Sequence, residues 1–396
     1  MADIFDYIKW RGDLDISQDS FNLIDAVILS RLSYMQLDGI VQGKGEQISL
    51  KAAADIFFSE PSRSERVLWK GDAELLRAAS DSARFGVLPL SYYVNIVDGD
   101  TNMQFSALTI ALGDGRHFIS YRGTDNTLVG WREDFDMFSR FPLPSQEKAL
   151  EYFCDAAYDL EGHFIFGGHS KGGNLAVYSA SFCNDELRKR IDAVYSLDGP
   201  GFERENLENS GFADICDRIY TFVPQSSMFG MLMEHQEEYT IVQSRRRGFF
   251  QHDIYTWEVE GTRLITLPKT TTASAFFDHT LTDFIDGISV KDRERLVDGV
   301  FEILGSADVV TFNEMANSIL KCVGKFLSSM KQMDSKTRSL ILSQLGRLLK
   351  TAGKNFNHVN PLRSDNRRSK DERRYNKRVR QGYRREKQLK KLKGYN

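Results

Sequence analysis

The chain has 396 residues, a formal net charge of −3 and a hydrophobic content of 41%. These values are ordinary for a soluble globular protein with one large core and an added region. No stretch approaches the roughly 20 apolar residues of a spanning helix, which argues against a membrane-spanning protein. The first residues, Met-Ala-Asp-Ile-Phe-Asp-Tyr, are acidic and unlike a signal peptide, so we expect a cytoplasmic protein.

Cysteine usage supports the same expectation. The four cysteines are scattered and include no C-x-x-C pair, and they are Cys154, Cys183, Cys216 and Cys322. This pattern is typical of reduced thiols rather than of a disulfide framework or a zinc site. We therefore expect neither a metal nor a cofactor.

Residues 1–90 are predicted to be mainly helical and packed on the core. Ser20 is placed to cap a helix, and Asp72 is placed to cap a second one. The apolar face of the first helix is formed by Leu23, Ile24, Val27, Ile28 and Leu32.

Residues 91–272 alternate between strand and helix patterns and form the predicted core. The predicted strands are 92–97, 105–112, 117–121, 164–166, 193–197 and 219–223, with an extended stretch over 255–259. Gly113-Asp114-Gly115 is predicted to be a hairpin turn, and helices are predicted near 129–138 and 146–160. This order predicts an α/β fold with a mostly parallel central sheet covered by helices on both faces.

The C-terminal part divides into a helical region, 273–356, and a basic tail, 357–396. Between Pro361 and Asn396 there are fifteen Lys or Arg residues and four Asp or Glu residues. Two interpretations stay open: a flexible, solvated tail with no specific partner, or a weak contact with nucleic acid or an anionic membrane.

A G-x-S-x-G pentapeptide, Gly168-His169-Ser170-Lys171-Gly172, follows the strand at 164–166 and precedes a helix pattern. This strand–turn–helix context is that of the nucleophile elbow of α/β-hydrolases, which holds a serine on a strained turn. An ordinary glycine-rich turn is the alternative. The pentapeptide makes Ser170 a candidate nucleophile for acyl chemistry.

A serine nucleophile requires a base, which an acid usually orients. Asp198 ends the strand 193–197 and is the candidate acid, with a local turn role as its alternative. Four histidines follow it, His235, His252, His279 and His358. His252 lies in an aromatic segment after the last core strands and is the candidate base; His235 is interpreted as a surface residue.

The oxyanion hole is expected to use the backbone N–H of Lys171, the residue after the nucleophile. Thr124, after the strand 117–121, could supply a second donor through its N–H and its side chain. The alternative is a strand-ending turn in which Arg122 pairs with a carboxylate such as Asp134.

Several motifs together resemble the class-3 lipases and, more closely, a bacterial family of uncharacterised lipase-like α/β-hydrolases called Mbeg1-like. The shared segments are Y-R-G-T-D at 121–125, G-H-S-K-G-G-N-L-A at 168–176, L-D-G-P-G-F at 197–202, V-P-Q-S-S at 223–227 and Q-H-D-I-Y-T-W at 251–257. The resemblance covers about residues 20 to 350. It implies Ser170 as nucleophile, His252 as base and Thr124 in the oxyanion hole.

Two positions depart from the class-3 pattern. No carboxylate precedes the V-P segment at 223–224, which leaves Asp198 as the acid. Lys171 replaces an apolar residue and either binds an anionic group of the substrate or pairs with an acidic neighbour. The methionine-rich segment 228–233 is either a core helix stripe or the wall or lid of an acyl pocket.

Two functions of different class follow. The first is a serine hydrolase that cleaves an acyl ester or lipid through a Ser-His-Asp triad and an acyl-enzyme. The second is a non-catalytic binding or scaffold protein that keeps the fold and works through its basic tail. The acyl chain, the physiological substrate and the oligomeric state stay open at this point.

Overall fold

The structure is a computed structural model that describes residues 1–271 except 66, 126, 209 and 228. Beyond them it describes residues 280, 287–289, 291–298 and scattered positions from 335 to 351. Most of the predicted helical region 273–356 and the whole basic tail 357–396 therefore lie outside the described residues, as do His279, Cys322 and His358.

The described chain forms a mixed α/β structure around a nine-stranded sheet. The strands lie in the order β1 (Ile48–Ser49), β2 (Pro89–Asp98), β3 (Met103–Ala111), β4 (Arg116–Tyr121), β5 (His163–His169), β6 (Ile191–Leu197), β7 (Ile219–Pro224), β8 (Tyr239–Val242) and β11 (Thr266–Leu267). Two short strands, β9 (Val259–Glu260) and β10 (Arg263–Leu264), form a separate ribbon.

The five strands from β4 to β8 are parallel; β4 to β7 are strands that the sequence predicts, whereas β8 was not predicted. The sheet is antiparallel on either side of them: β1 to β4 form a meander, and β11 runs against β8. The expectation of a mostly parallel sheet is therefore wrong for the outer strands. The predicted hairpin turn is confirmed, since Gly113 and Gly115 have φ angles of 82° and 86° and join β3 to β4.

Helices fill the N-terminal part and the connections between strands, as predicted. They are α1 (Ile4–Arg11), α2 (Leu23–Leu32), α3 (Leu50–Ser59), α4 (Pro61–Glu65), α5 (Lys70–Ser80), α6 (Ala83–Gly86), α7 (Leu128–Asp136), α8 (Pro144–Asp159), α9 (Lys171–Phe182), α10 (Asp185–Lys189), α11 (Arg204–Leu207) and α12 (Phe212–Ile215). Short 3-10 turns cover Cys216–Arg218, Gly248–His252 and Ile254–Thr256. The stretch 255–259, predicted to be extended, therefore begins as a helical turn.

Two predicted helix caps differ from the structure. Asn22, not Ser20, caps α2, because the Asn22 carboxamide oxygen accepts the N–H of Ile24 at 2.9 Å. Asp72 lies inside the first turn of α5, where its carboxylate accepts the N–H of Trp69 at 3.1 Å. Side-chain acceptors near a helix N-terminus satisfy amides that have no partner within the helix. For α2 the sequence misplaced the capping residue, whereas Asp72 does accept a terminal N–H of α5 but from inside its first turn.

Apolar side chains cover both faces of the sheet. Along β5 the buried side chains alternate: Ile165 joins the cluster that contains α2, whereas Phe164 and Phe166 join the cluster that contains α8 and α9. This alternation follows from the two-residue period of a strand. Among the described helices, none is long and apolar enough to cross a bilayer.

The register of the parallel strands aligns their carboxyl ends at one edge. Tyr121 lies beside Gly168, His169 lies beside Leu197, and Leu197 lies beside Phe222. The residues that follow these strand ends therefore meet in one place, at the edge where α/β proteins form their sites.

Candidate active site

The turn between β5 and α9 holds Ser170 in a strained conformation. Its backbone has φ 58° and ψ −131°, outside the regions that a residue with a side chain normally occupies. The turn is tight because Gly168 packs against Gly172: a Cβ added at Gly168 would lie 2.2 Å from the Gly172 carbonyl carbon. The strand, the turn and the helix therefore have the geometry expected of a nucleophile elbow.

Asp198 and His252 are in direct contact. Asp198 follows β6 and is fully buried, and its Oδ2 lies 2.7 Å from the Nδ1 of His252. A carboxylate accepts, so the Nδ1 of His252 is the nitrogen that donates. The structure thus brings together the predicted acid and the predicted base. The Asp198 backbone also has a positive φ, 51°, which is uncommon for a residue other than glycine.

The other oxygen of Asp198 is held by the segment after β7. Ser227 donates its hydroxyl to Oδ1, and the N–H of Gly230 donates to the same oxygen at 3.1 Å. Sequence reasoning missed this support, although Ser227 ends the V-P-Q-S-S motif that contributes to the resemblance. Hydrogen bonds of this kind fix the orientation of the carboxylate.

Ser170 is linked to His252 and to Asp198 through neighbouring residues. The ring of His252 is 4.4 Å, centroid to centroid, from His169, the residue directly before Ser170. The N–H of Ser170 donates to the carbonyl of Leu197, the residue directly before Asp198, at 2.9 Å. The three predicted catalytic residues therefore share one edge of the sheet and are connected through their immediate neighbours.

The loop after β4 lies beside the elbow, as the oxyanion prediction requires. A Cβ added at Gly123 would lie 3.1 Å from the Cβ of Ser170. The Thr124 hydroxyl, however, donates to Asp134, with oxygen–oxygen distances of 2.7 and 2.6 Å. Because a hydroxyl has one hydrogen, the backbone N–H is the donor of Thr124 that remains for an oxyanion.

Arg122 pairs with a carboxylate, as the alternative of a strand-ending turn predicts, but this carboxylate is Asp125 rather than Asp134. Its guanidinium contacts Asp125 at 3.5 Å and donates to the side chain of Asn95 at 2.9 Å.

Burial raises the pKa of Asp134 to about 6, although the charge of Lys171 opposes the shift. The carboxyl group that binds the Thr124 hydroxyl, that of Asp134, is therefore titratable near neutral pH.

The side chain of Lys171 forms a buried ion pair, which resolves one open alternative. Its Nζ donates to Glu133 Oε2 at 2.7 Å and to the carbonyl of Gln104 at 2.9 Å, and both charged side chains are 1% exposed. The ammonium group thus binds an acidic neighbour within the protein. The backbone N–H of Lys171 lies at the start of α9, where helix amides attract negative charge.

An apolar cavity of about 200 Å³ reaches the elbow. Its lining includes Ser170, Lys171 and Asp134, and its apolar wall includes Trp131, Phe135, Phe138, Phe229, Leu232 and Met233. The described part of the segment 228–233 consists of turns and bends rather than a helix. Its interpretation as a core helix stripe is therefore wrong, and three of its residues form part of the cavity wall.

His235 is buried rather than at the surface, which corrects the sequence interpretation. Its Nδ1 lies 2.9 Å from Glu237 Oε1, and its Nε2 lies 2.6 Å from the carbonyl oxygen of Gly230. Burial alone would lower the pKa of His235, but the Glu237 carboxylate outweighs burial and raises it. The site therefore has a second histidine–carboxylate pair. It stabilises the segment around Gly230, whose N–H binds Asp198.

Fold and site together define a mixed α/β protein with a serine on a strained strand-to-helix turn, next to a buried His–Asp pair. The sequence pattern of the Mbeg1-like family matches residues 79–302, more than half of the chain. The chain belongs to the Mbeg1-like family. No curated protein and no solved structure matches it.

Proposed function

We propose that this protein is a serine hydrolase with the α/β-hydrolase fold, which cleaves esters of apolar acids. One observation carries the proposal: the Asp198–His252 hydrogen bond at the sheet edge where Ser170 is held on a strained turn over an apolar cavity. A nucleophile, a base and an orienting acid in this chain order are typical of α/β-hydrolases.

In the proposed reaction, Ser170 Oγ attacks the ester carbonyl carbon and its proton passes to Nε2 of His252. The Nδ1 donor bond to Asp198 stabilises the imidazolium that forms. Collapse of the tetrahedral intermediate breaks the ester C–O bond, and the alcohol leaves with the proton from His252. Water then attacks the acyl-enzyme by the same route and releases the carboxylic acid.

The developing oxyanion would be stabilised by two backbone donors. The N–H of Lys171 lies at the N-terminus of α9, and the N–H of Thr124 lies in the loop beside the elbow. The buried Glu133 partner of Lys171 supports this arrangement, because it ties the first residue of α9 to α7, the helix that follows Thr124.

The cavity favours an apolar acyl group over a charged one. Its wall is formed mainly by aromatic, leucine and methionine side chains, and the ammonium of Lys171 is already paired with Glu133. Burying an unpaired charge among such side chains would cost several kcal/mol. An uncharged ester of a fatty or aromatic acid is therefore the proposed substrate class.

Reaction with a fluorophosphonate probe tests the proposal. We expect wild-type protein to be labelled at one site and to hydrolyse p-nitrophenyl esters, and we expect Ser170→Ala to lose both activities. Ser139→Ala, a partly buried serine just after α7, is the matched control and should keep both. Folded wild-type protein that neither reacts with the probe nor cleaves esters would refute the hydrolase and favour a binding or scaffold role.

We further propose that the family is related to the class-3 lipases and is bacterial, and that the protein acts in the cytoplasm. The Y-R-G-T-D and G-H-S-K-G-G segments support the relationship. Cys154 and Cys183 are free thiols, which suits a reducing compartment.

A contact of the basic tail with a polyanion stays a prediction, which salt-dependent binding to RNA or anionic vesicles would test.

A further inference from the structure

We propose that three residues outside the triad, Arg31, Tyr34 and His169, form a positioning group. This group fixes the position of the base His252 relative to the nucleophile Ser170. This inference rests on the proposed hydrolase and assigns the N-terminal helices a part in its active site.

His169 holds the backbone of His252. The Nε2 of His169 lies 2.7 Å from the carbonyl oxygen of His252. A carbonyl only accepts hydrogen bonds, so this nitrogen carries a hydrogen and donates it. The residue before the nucleophile therefore binds the backbone of the base and sets the distance between the elbow and the loop of His252.

Arg31 fixes the tautomer that makes this bond possible. Its guanidinium lies 3.5 Å from the Nδ1 of His169 and can only donate, so Nδ1 must be the acceptor nitrogen. Burial, together with the nearby His252 and Arg31, lowers the pKa of His169 well below its ordinary value of 6.5. A neutral ring is required here, because a charged one would repel the imidazolium of His252 at a ring separation of 4.4 Å.

Tyr34 connects the elbow to the oxyanion loop. Its hydroxyl accepts the N–H of Gly123 at 3.1 Å and lies 3.2 Å from both the carbonyl oxygen and the Nδ1 of His169. Gly123 directly precedes Thr124, the proposed oxyanion residue. One phenol group thus binds the loop on one side of Ser170 and the residue before Ser170 on the other.

A buried carboxylate anchors the group and reaches the loop of His252 by a second route. Asp72 accepts two hydrogen bonds from Arg31, at 2.6 and 3.2 Å, and accepts the hydroxyl of Tyr255 at 2.7 Å. Arg31 and Asp72 are 2% and 0% exposed. Tyr255 lies three residues after His252, so the N-terminal helices hold this loop directly at Tyr255 and, through His169, at His252.

Arg31, Tyr34 and Asp72 all lie before residue 79, where the family pattern begins to match. The matched region contains the triad and His169 but not the groups that fix the tautomer of His169. The geometry therefore places part of the active-site support in a segment that the family pattern does not cover.

Substitution at His169 separates positioning from packing. His169→Gln keeps an N–H near the position of Nε2, whereas His169→Met fills a similar volume without a donor. We expect His169→Gln to keep kcat within about 3-fold of wild type, and His169→Met to lower kcat by about 10- to 100-fold at unchanged KM. Equal kcat values for the two variants, or a change in KM alone, would overturn the positioning role.

Tyr34→Phe gives a second test that removes a single oxygen. Its matched control is Tyr7→Phe, another buried tyrosine of the N-terminal helices, whose hydroxyl binds Asp25 at 2.9 Å. We expect both variants to lose similar stability, but only Tyr34→Phe to slow fluorophosphonate labelling, by about 10-fold. Equal labelling rates for the two variants would contradict the inference.

Nitrogen-15 NMR of the histidines provides a readout that does not depend on activity. We expect His169, assigned through His169→Gln, to show a neutral ring with hydrogen on Nε2 from pH 5 to 8. Hydrogen on Nδ1, or titration within this range, would overturn the inference even in an active enzyme. An unreactive wild type would instead refute the hydrolase, and the positioning role with it.

Discussion

Two histidine–carboxylate pairs lie at the same edge of the sheet. They differ in the surroundings of Nε2, the imidazole nitrogen that does not bind the carboxylate. In the His252–Asp198 pair, Nδ1 binds the carboxylate, and the ring lies beside the elbow with 12% of its side chain exposed. In the His235–Glu237 pair, the carboxylate binds Nδ1 and the carbonyl of Gly230 binds Nε2. A base needs a nitrogen that can take up a proton, so only the first pair suits catalysis.

The largest expected effect comes from breaking the first pair. Asp198→Asn keeps the size of the side chain but removes its charge, so the tautomer and orientation of His252 are no longer fixed. In a serine triad this change lowers kcat by about 10⁴-fold. Measuring p-nitrophenyl ester hydrolysis with matched melting curves checks this prediction. Activity within 10-fold of wild type would mean that Asp198 is not the acid.

Breaking the second pair should affect stability more than chemistry. We expect His235→Gln to lose about 3 kcal/mol of unfolding free energy near pH 6, because it leaves the buried Glu237 carboxylate without its counter-charge. Its kcat should fall by less than about 10-fold, since His235 contacts no reacting atom. Urea denaturation and steady-state kinetics measure the two effects separately. A loss of activity as large as that of Asp198→Asn would contradict the distinction between the pairs.

The pH dependence of stability sharpens the same contrast. The pKa of His235 is raised, so its contribution is complete below the ordinary value of 6.5 and is lost as pH rises through the raised value. Burial alone would raise the pKa of Glu237, but the His235 charge lowers it, so its contribution is lost as pH falls below 4.5. We expect wild type to lose stability relative to His235→Gln both above about pH 6.5 and below about pH 4.5. Parallel urea curves at all pH values would contradict this.

The sequence pattern brought Ser170 and Asp198 together because each directly follows a strand of the parallel sheet, and parallel strands place such positions at one edge. His252 follows no strand end directly; the sequence indicated it as the histidine of an aromatic segment after the last predicted core strands. The supporting groups gave no such signal. His235 and Tyr34 lie in segments whose burial depends on long-range packing, and no local pattern indicates which carboxylate or carbonyl a side chain will meet.

The loop after β4 gives a smaller expected effect. Thr124→Val removes the hydroxyl that binds Asp134 but keeps the backbone N–H, so it should loosen one oxyanion donor and lower kcat by about 10-fold. Thr124→Ser keeps the hydroxyl and should stay within about 3-fold. If the two variants are equally active, the Thr124–Asp134 contact does not position the oxyanion loop.

The last expected effect, on acyl-chain preference rather than on rate, concerns the cavity beside Ser170. Leu232→Ala removes three carbon atoms from the apolar wall and so enlarges the cavity, and changes in apolar pocket contacts alter transition-state binding by about 1–3 kcal/mol. We therefore expect the preference between a longer and a shorter p-nitrophenyl ester to shift about 10-fold towards the longer acyl chain, while probe labelling of Ser170 stays near wild type. Leu207→Ala, a buried leucine outside the cavity wall, is the control and should leave chain-length preference unchanged. An equal shift in both variants would mean that general loosening, rather than the cavity wall, sets the preference.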